Sequence, residues 1–306
     1  MTGRQHLRQH LGIDLGGTNI KTTILDADYG IVGEATRPTQ AHGGPEHVIA
    51  TMIAAGRVAV ETWGAVATCG VGVPGWFDSI DGTIEHFANI EGDWMGRPVR
   101  APIEAALGVP VAIINDARAF TLAEFTVGAA RGASTVVCYT LGTGIGGGLV
   151  IDGRLRFGRH GRAGELGHLV TFPGGGLCGC GNRGCIETLV NAESLARMAG
   201  TASASDAVDA ARSGDALALT ALDTVTDLLG MAFANMITVL MPEKIVVGGG
   251  IAEAGPLLFD RLRDATRRHL RLVPDDWWEI VPASVGPYTG AVGAAIWGAA
   301  PQQVPV

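Results

Sequence analysis

Apolar runs along the chain predict an α/β protein whose strands end at glycine-rich turns. Residues 10–26 have the pattern of a strand, a turn and a second strand. Further strands are predicted at 65–73, 109–114, 135–141, 146–151 and 244–247, and helices at 45–63, 117–127, 216–241 and 290–300. Alternation of strands with helices is typical of layered α/β folds.

The pattern at the start of the chain recurs near its middle. Residues 14–18 and 140–144 both lie where a strand passes through a Gly/Thr turn into another strand. Similarity across about half a chain predicts two related domains that face one another. Two unrelated hairpins in a glycine-rich protein are the alternative.

Length and charge narrow the class of protein. The chain has 306 residues, 47% of them hydrophobic, which suits two packed domains. Its net charge of −8 argues against a broad basic face for nucleic acid. Residues 1–10 are polar, and the apolar stretch 228–241 is too short to span a bilayer. We expect a soluble cytoplasmic protein with no nucleic-acid or membrane partner.

Three glycine-rich turns follow apolar strands, at 16–18, 142–144 and 248–250. Backbone N–H groups in such turns can cradle phosphate oxygens, so the three together indicate a nucleotide site, although any one could be an ordinary tight turn. Asp14 could hold Mg²⁺ through water or could cap its turn. The candidate nucleotide-binding residues are Asp14, Gly16, Gly17, Thr18, Asn19, Lys21, Gly142, Thr143, Gly144, Gly248, Gly249 and Gly250.

Asn115 and Asp116 follow the predicted strand 109–114, and ligands in α/β folds collect at such strand ends. Asp116 could accept the proton of a substrate hydroxyl as its oxygen attacks phosphorus. Asn115 could hydrogen-bond sugar hydroxyls. The alternative is that Asp116 is merely the N-cap of the helix predicted from residue 117.

A Cys/His cluster predicts a metal site. His168 precedes a glycine-punctuated run that contains Cys178, Cys180 and Cys185. Three thiolates and one imidazole complete the tetrahedral set of a structural zinc ion, although free thiols beside an unrelated histidine remain the alternative. Glu165 and Glu187 flank this set and could bind vicinal sugar hydroxyls.

The whole chain resembles the ROK family (repressors, open reading frames and sugar kinases), especially its bacterial glucokinase-like members. Residues 14–18 resemble the first phosphate motif of that family, and Asn89 with Trp94 its sugar-contacting loop. Residues 115–117 resemble the catalytic segment. Residues 164–168 and 178–187 resemble the zinc-and-sugar motif.

The resemblance implies an α/β fold of two actin/hexokinase-like (ribonuclease H-like) domains around a central cleft. Residues 1–117 would form a small N-terminal domain together with the final helix in 290–306, and residues 118–289 a larger domain with the zinc loop. ATP, Mg²⁺ and structural Zn²⁺ are the implied cofactors, and we expect a homodimer or homotetramer. Asp116 would be the general base, and the implied sugar contacts are Asn89, Asn115, Asp116, Glu165, His168 and Glu187.

The expected activity is ATP-dependent phosphorylation of a hexose or hexose-like hydroxyl, with glucose as the first choice. An amino sugar, fructose, mannose or a cyclitol is an alternative acceptor, because Arg118 and residues 287–289 depart from the family pattern. A non-catalytic sugar-sensing protein is the alternative in another class. Family repressors carry an N-terminal helix-turn-helix domain, whereas about ten polar residues precede the first strand here, which favours a kinase.

Overall fold

The computed structural model describes residues 9–87 and 90–301, which divide into two compact units. The first unit comprises the chain up to Val127, the short segment Phe157–Arg162 and the chain from Val285. The second comprises Gly128–Arg156 and Ala163–Ser284. The α/β fold class predicted from the sequence is confirmed.

The first unit is built on a five-stranded mixed sheet. Its strands and helices are β1 (His10–Leu15), β2 (Asn19–Leu25), β3 (Ile31–Pro38), α1 (Gly44–Trp63), β4 (Thr68–Val73), β5 (Trp76–Phe77), β6 (Ile84–His86), α2 (Arg100–Leu107), β7 (Val111–Asn115), α3 (Asp116–Thr126) and the final helix α8 (Thr289–Ala299). The sheet order is β3-β2-β1-β4-β7, while β5 and β6 form a separate hairpin. Strands β1, β4 and β7 are parallel, so their carboxyl ends share one edge.

The second unit repeats this plan. It contains β8 (Val136–Leu141), β9 (Ile145–Ile151), β10 (Arg154–Leu155), α4 (Ala192–Ala199), α5 (Ala204–Arg212), α6 (Ala216–Leu240), β11 (Lys244–Gly248), α7 (Pro256–His269) and β12 (Glu279–Pro282). Its sheet order is β10-β9-β8-β11-β12, with an antiparallel β8–β9 hairpin and parallel β11 and β12. Two sheets of matching order account for the repeated strand–turn–strand pattern.

Several elements were not predicted because they lack a long apolar run. Strand β3 is exposed or half-buried at every position, and α7 is rich in charged residues. The first unit extends to Val127, whereas the predicted boundary lies at residue 117. Helix α3 groups with the first unit, where it packs against α8.

Helix α6 is long and apolar enough to cross a membrane by length and composition alone. Half of that apolar window is buried inside the protein. Leu222, Leu229 and Phe233 lie in the core of the second unit with no solvent exposure. This burial is typical of the central helix of a globular domain.

Helix α8 approaches β1, β4 and α3 so closely that several positions in the contact leave no room for a side chain. A Cβ atom on Gly12 or Gly70 would overlap with backbone carbonyls of α8, and one on Gly293 would overlap with the carbonyl of Ala119 in α3. Glycines on both sides of the contact therefore permit this packing. The sequence shows these glycines but not what they face.

We expect Gly293→Ala to lower the free energy of unfolding by about 1–3 kcal/mol, because the added methyl group must displace α3 or α8. Thermal and denaturant unfolding would measure the effect. Gly176→Ala is the matched control, since the nearest atom to its new Cβ would be 4.0 Å away. Equal stability of the two variants would contradict this account of the packing.

Candidate active site and metal site

Hydrogen bonds fix the conformation of the first glycine-rich turn, at residues 16–18. The N–H of Gly16 donates to the carbonyl of Asn19 at 3.0 Å. Thr39, which is fully buried, donates its hydroxyl to the carbonyl of Gly16 at 2.6 Å and its N–H to the carbonyl of Thr18 at 2.9 Å. The turn is thus fixed by its own backbone and by a threonine that no sequence signal identified.

Asp14 lies level with Gly72 of β4, at the edge where the parallel strands end. Its carboxylate lies beside Gly290 in the first turn of α8, where a side chain would collide with it. Burial and, to a smaller extent, the charge of Asp116 raise the pKa of Asp14, Lys21 lowers it, and together they set it at about 7. The two carboxylates predicted from the sequence therefore interact.

Lys21 is tied to the segment that departs from the family pattern. Its ammonium donates to the carbonyl of Pro287 at 2.6 Å and lies 5.8 Å from the centre of the Tyr288 ring. The Tyr288 hydroxyl hydrogen-bonds Thr36 of β3 at 3.0 Å. The unusual residues thus hold a candidate nucleotide-binding lysine in place.

The N-cap of helix α3 is Asn115, not Asp116. The side-chain oxygen of Asn115 accepts from the N–H groups of Ala117 and Arg118 at 3.1 and 3.2 Å, and its nitrogen donates to the carbonyl of Gly75 at 3.3 Å. The alternative of Asp116 as N-cap is therefore wrong, because Asp116 is the first residue of α3. One N–H of the Asn115 amide remains beyond these bonds.

The second glycine-rich turn, at residues 142–144, is joined to Glu187. The carboxylate of Glu187 accepts from the N–H of Ile145 at 2.8 Å and occupies the space that a side chain on Gly144 would need. The carbonyl of Gly142 accepts from the N–H of Ala192, the first residue of α4. A predicted sugar-binding carboxylate is therefore hydrogen-bonded directly after a predicted phosphate-binding turn.

The third turn, at residues 248–250, lies beside the second. Gly248 pairs with Thr140 across the parallel strands β11 and β8. Gly249 has a φ of 88°, and a side chain there would collide with Leu141. The two turns of the second unit therefore end adjacent strands.

The four predicted zinc ligands converge. The candidate ligand atoms of His168, Cys178, Cys180 and Cys185 all lie within 4.8 Å of one another. The Cys180 and Cys185 sulfurs are 3.6 Å apart, and Cys178 Sγ lies 3.5 Å from His168 Nδ1. Tetrahedral zinc with Zn–S bonds of ~2.3 Å places sulfurs about 3.8 Å apart, so the set fits zinc with no open position.

His168 uses Nδ1 toward the cysteines, which leaves Nε2 for another partner. Glu165 is half-buried and immediately precedes the short 3-10 turn Leu166–His168. Asn89, the remaining predicted sugar contact, lies outside the described residues.

Comparisons with known proteins agree with this architecture. The ROK family model matches residues 10–300. The chain is 36% identical to a glucokinase from Thermotoga maritima over 93% of this chain and 95% of the relative. It is 35% identical to an N-acetylgalactosamine kinase from Shewanella sp. over 85% of this chain and 87% of the relative.

Solved structures extend the similarity to the fold. A ROK hexokinase from Thermus thermophilus aligns with a TM-score of 0.85 at 33% identity, over 95% of this chain and 97% of that one. A ROK family glucokinase from Streptomyces griseus, in complex with glucose and AMPPNP, aligns with a TM-score of 0.82 at 30% identity. That alignment covers 95% of this chain and 99% of the other.

Asp14→Asn should raise the melting temperature of the ligand-free protein, and more at pH 8 than at pH 4. Between the ordinary pKa of 3.8 and the folded pKa of about 7, the folded chain holds more protons than the unfolded chain. The carboxylate therefore lowers the free energy of unfolding increasingly as the pH rises through this window. Melting curves at several pH values would measure it, with the exposed Asp28→Asn as control. A difference that does not grow with pH would be the contrary result.

Purified protein should contain about one zinc ion per chain, and Cys180→Ser should lower both the zinc content and the melting temperature. A structural metal contributes directly to folding, so loss of one ligand weakens the loop that the others hold. Elemental analysis and thermal melting would test this, with Arg183→Ala in the same loop as control. Zinc-free protein with freely titratable Cys178, Cys180 and Cys185 would reject the site.

Proposed function

The chain belongs to the ROK family, and we infer that it is an ATP-dependent sugar kinase that transfers the γ-phosphoryl group of ATP to a hydroxyl of glucose. Glucokinases match it over most of its length, and the similar glucokinase from Streptomyces griseus was solved with glucose and AMPPNP. Moderate identity to N-acetylhexosamine kinases leaves an amino sugar as the second acceptor to test.

One observation carries the catalytic proposal. Asp14 and Asp116 lie at the shared carboxyl edge of the parallel strands and influence one another electrostatically. Phosphoryl transfer needs negative groups of two kinds, one that holds the metal and one that accepts a proton. The pair in the first unit can supply both.

Asp116 is assigned as the general base. As the sugar oxygen forms its bond to the γ-phosphorus, the bond from that phosphorus to the β–γ bridging oxygen breaks, and ADP carries away the electron pair. The proton of the attacking hydroxyl passes to the Asp116 carboxylate. The cap on α3 is made by Asn115, so the Asp116 carboxylate is not needed for that role.

Asp14 is assigned to Mg²⁺, through water molecules, where the metal would neutralise charge on the ATP phosphates. Loss of the Asp14 proton near neutral pH suits this role, because a nearby cation favours the ionised carboxylate. Gly290 leaves the space that the carboxylate occupies, because a Cβ atom there would collide with it. The glycine-rich turns would present their N–H groups to the phosphates.

The sugar-binding assignments rest on polar atoms that the hydrogen bonds described above do not use. Asn115 keeps one amide N–H, Glu187 keeps its second carboxylate oxygen as an acceptor beyond the bond from Ile145, and His168 keeps Nε2. We assign Glu165 and Asn89 to the same sugar. The His/Cys set would hold zinc and thereby orient His168.

We further propose a cytoplasmic homodimer or homotetramer without a nucleic-acid or membrane partner. The net charge of −8 supports the absence of nucleic acid. Light scattering during gel filtration tests the oligomeric state. An ADP-release assay over sugars and cyclitols tests the acceptor, and binding without ADP release would favour a sugar-sensing protein.

Asp116→Asn should lower kcat by at least about 10²-fold, because the amide keeps the shape of the carboxylate but cannot accept the proton. Its melting temperature should stay close to that of the wild type, since Asn115 caps the helix. Steady-state kinetics and melting curves on one sample would separate the two effects, with Asp28→Asn as control. Near-normal turnover by a folded variant would remove Asp116 as the base.

A further inference from the structure

A small pocket opens beside Asn115 within the first unit. Its lining residues are Gly75, Trp76, Phe77, Ser79, Ile113, Asn115, Arg118, Phe157, His160, Gly161, Arg162 and Trp297. Its room of about 30 Å³ suffices for about two water molecules. The proposed catalytic and metal-binding assignments make no use of this space, although it begins at a residue that we assign to the sugar.

The pocket has an aromatic floor and a fixed wall. Phe157 packs against Trp297 with ring centres 5.1 Å apart, and both side chains are buried. The Nε1–H of Trp297 donates to the carbonyl of Ile113 at 2.9 Å, which fixes the indole under β7. Asn115 donates to the carbonyl of Gly75, so the wall is joined to the catalytic segment.

The short segment Phe157–Arg162 forms one side of the pocket. The guanidinium of Arg162 lies 4.3 Å from the centre of the Trp76 ring and forms an ion pair with Glu85. His160 has a φ of 54°, a conformation that costs energy for a residue with a side chain. The segment is thus shaped and held against the first unit by contacts of Arg162 and Phe157.

These features suit a subsite that tolerates only a small substituent. The volume beside these aromatic rings admits a hydroxyl group or a water molecule. An acetamido group is several heavy atoms larger than a hydroxyl and exceeds this volume. The distinction matters here because similar proteins include both a glucokinase and an N-acetylgalactosamine kinase.

We propose that this pocket limits the size of the sugar substituent that lies next to Asn115, and that Arg162 sets the limit. The inference rests on the proposed sugar kinase activity and names its acceptor class: hexoses without a bulky substituent at that ring position. Arg162 acts by stacking on Trp76 and pairing with Glu85, which holds residues 157–162 in position along the pocket. It is a specificity-determining residue and takes no part in the proton transfer.

The test measures kcat/KM for glucose and for derivatives that carry an acetamido or O-methyl group at each ring position in turn. The wild type should disfavour the derivative substituted at one particular position by at least about tenfold, the scale on which pockets discriminate added groups. Arg162→Ala should recover about tenfold at that position alone. Its kcat for glucose should remain near the wild-type value.

Arg159→Ala is the matched control, because Arg159 lies in the same segment but does not line the pocket. Should Arg162→Ala fail to fold, Arg162→Lys keeps the charge and loses the planar stack, and it should broaden acceptance in the same direction. Unchanged selectivity in a folded Arg162 variant with normal glucose turnover would overturn the inference, as would equal broadening by Arg159→Ala. A wild type that phosphorylates no sugar would instead reject the proposed function, and the inference with it.

Discussion

The first unit depends on how closely its final helix approaches the sheet. Glycines at positions 12, 70 and 293 remove the side chains that would hold α8 away from β1, β4 and α3. This contact sets Gly290 against the Asp14 carboxylate at one end of the helix and Trp297 under β7 at the other. The Asp14 carboxylate and the pocket beside Asn115 therefore depend on the same packing contact.

In the second unit, the His/Cys set lies on a loop that buries few apolar side chains. The His/Cys set gathers a segment that otherwise contains no helix or strand of regular length. A bound metal there replaces the hydrophobic burial that orders other segments. From this loop Glu187 reaches the N–H of Ile145, so the order of the loop is passed to the glycine-rich turn at 142–144.

Asp14 lowers the stability of the fold at neutral pH. A carboxylate enclosed by backbone and placed near Asp116 has a raised pKa, which lowers the free energy of unfolding at neutral pH. Perturbed pKa values collect at functional sites, because such sites must hold charges ready for a ligand. Gly290 carries no side chain, so the space beside the Asp14 carboxylate is not filled by core packing.

The sequence by itself determined the fold class, the duplicated plan, the glycine-rich turns and the His/Cys set, because these depend on local spacing and on which residue types a chemistry requires. It did not determine that Asn115 caps α3, because the hydrophobic pattern does not locate the start of a helix to within one residue. Only the tertiary structure brought Thr39 under the first turn, Gly290 against Asp14 and Arg162 onto Trp76. These contacts join positions far apart in the chain, and packing between such positions leaves no periodic trace in the sequence.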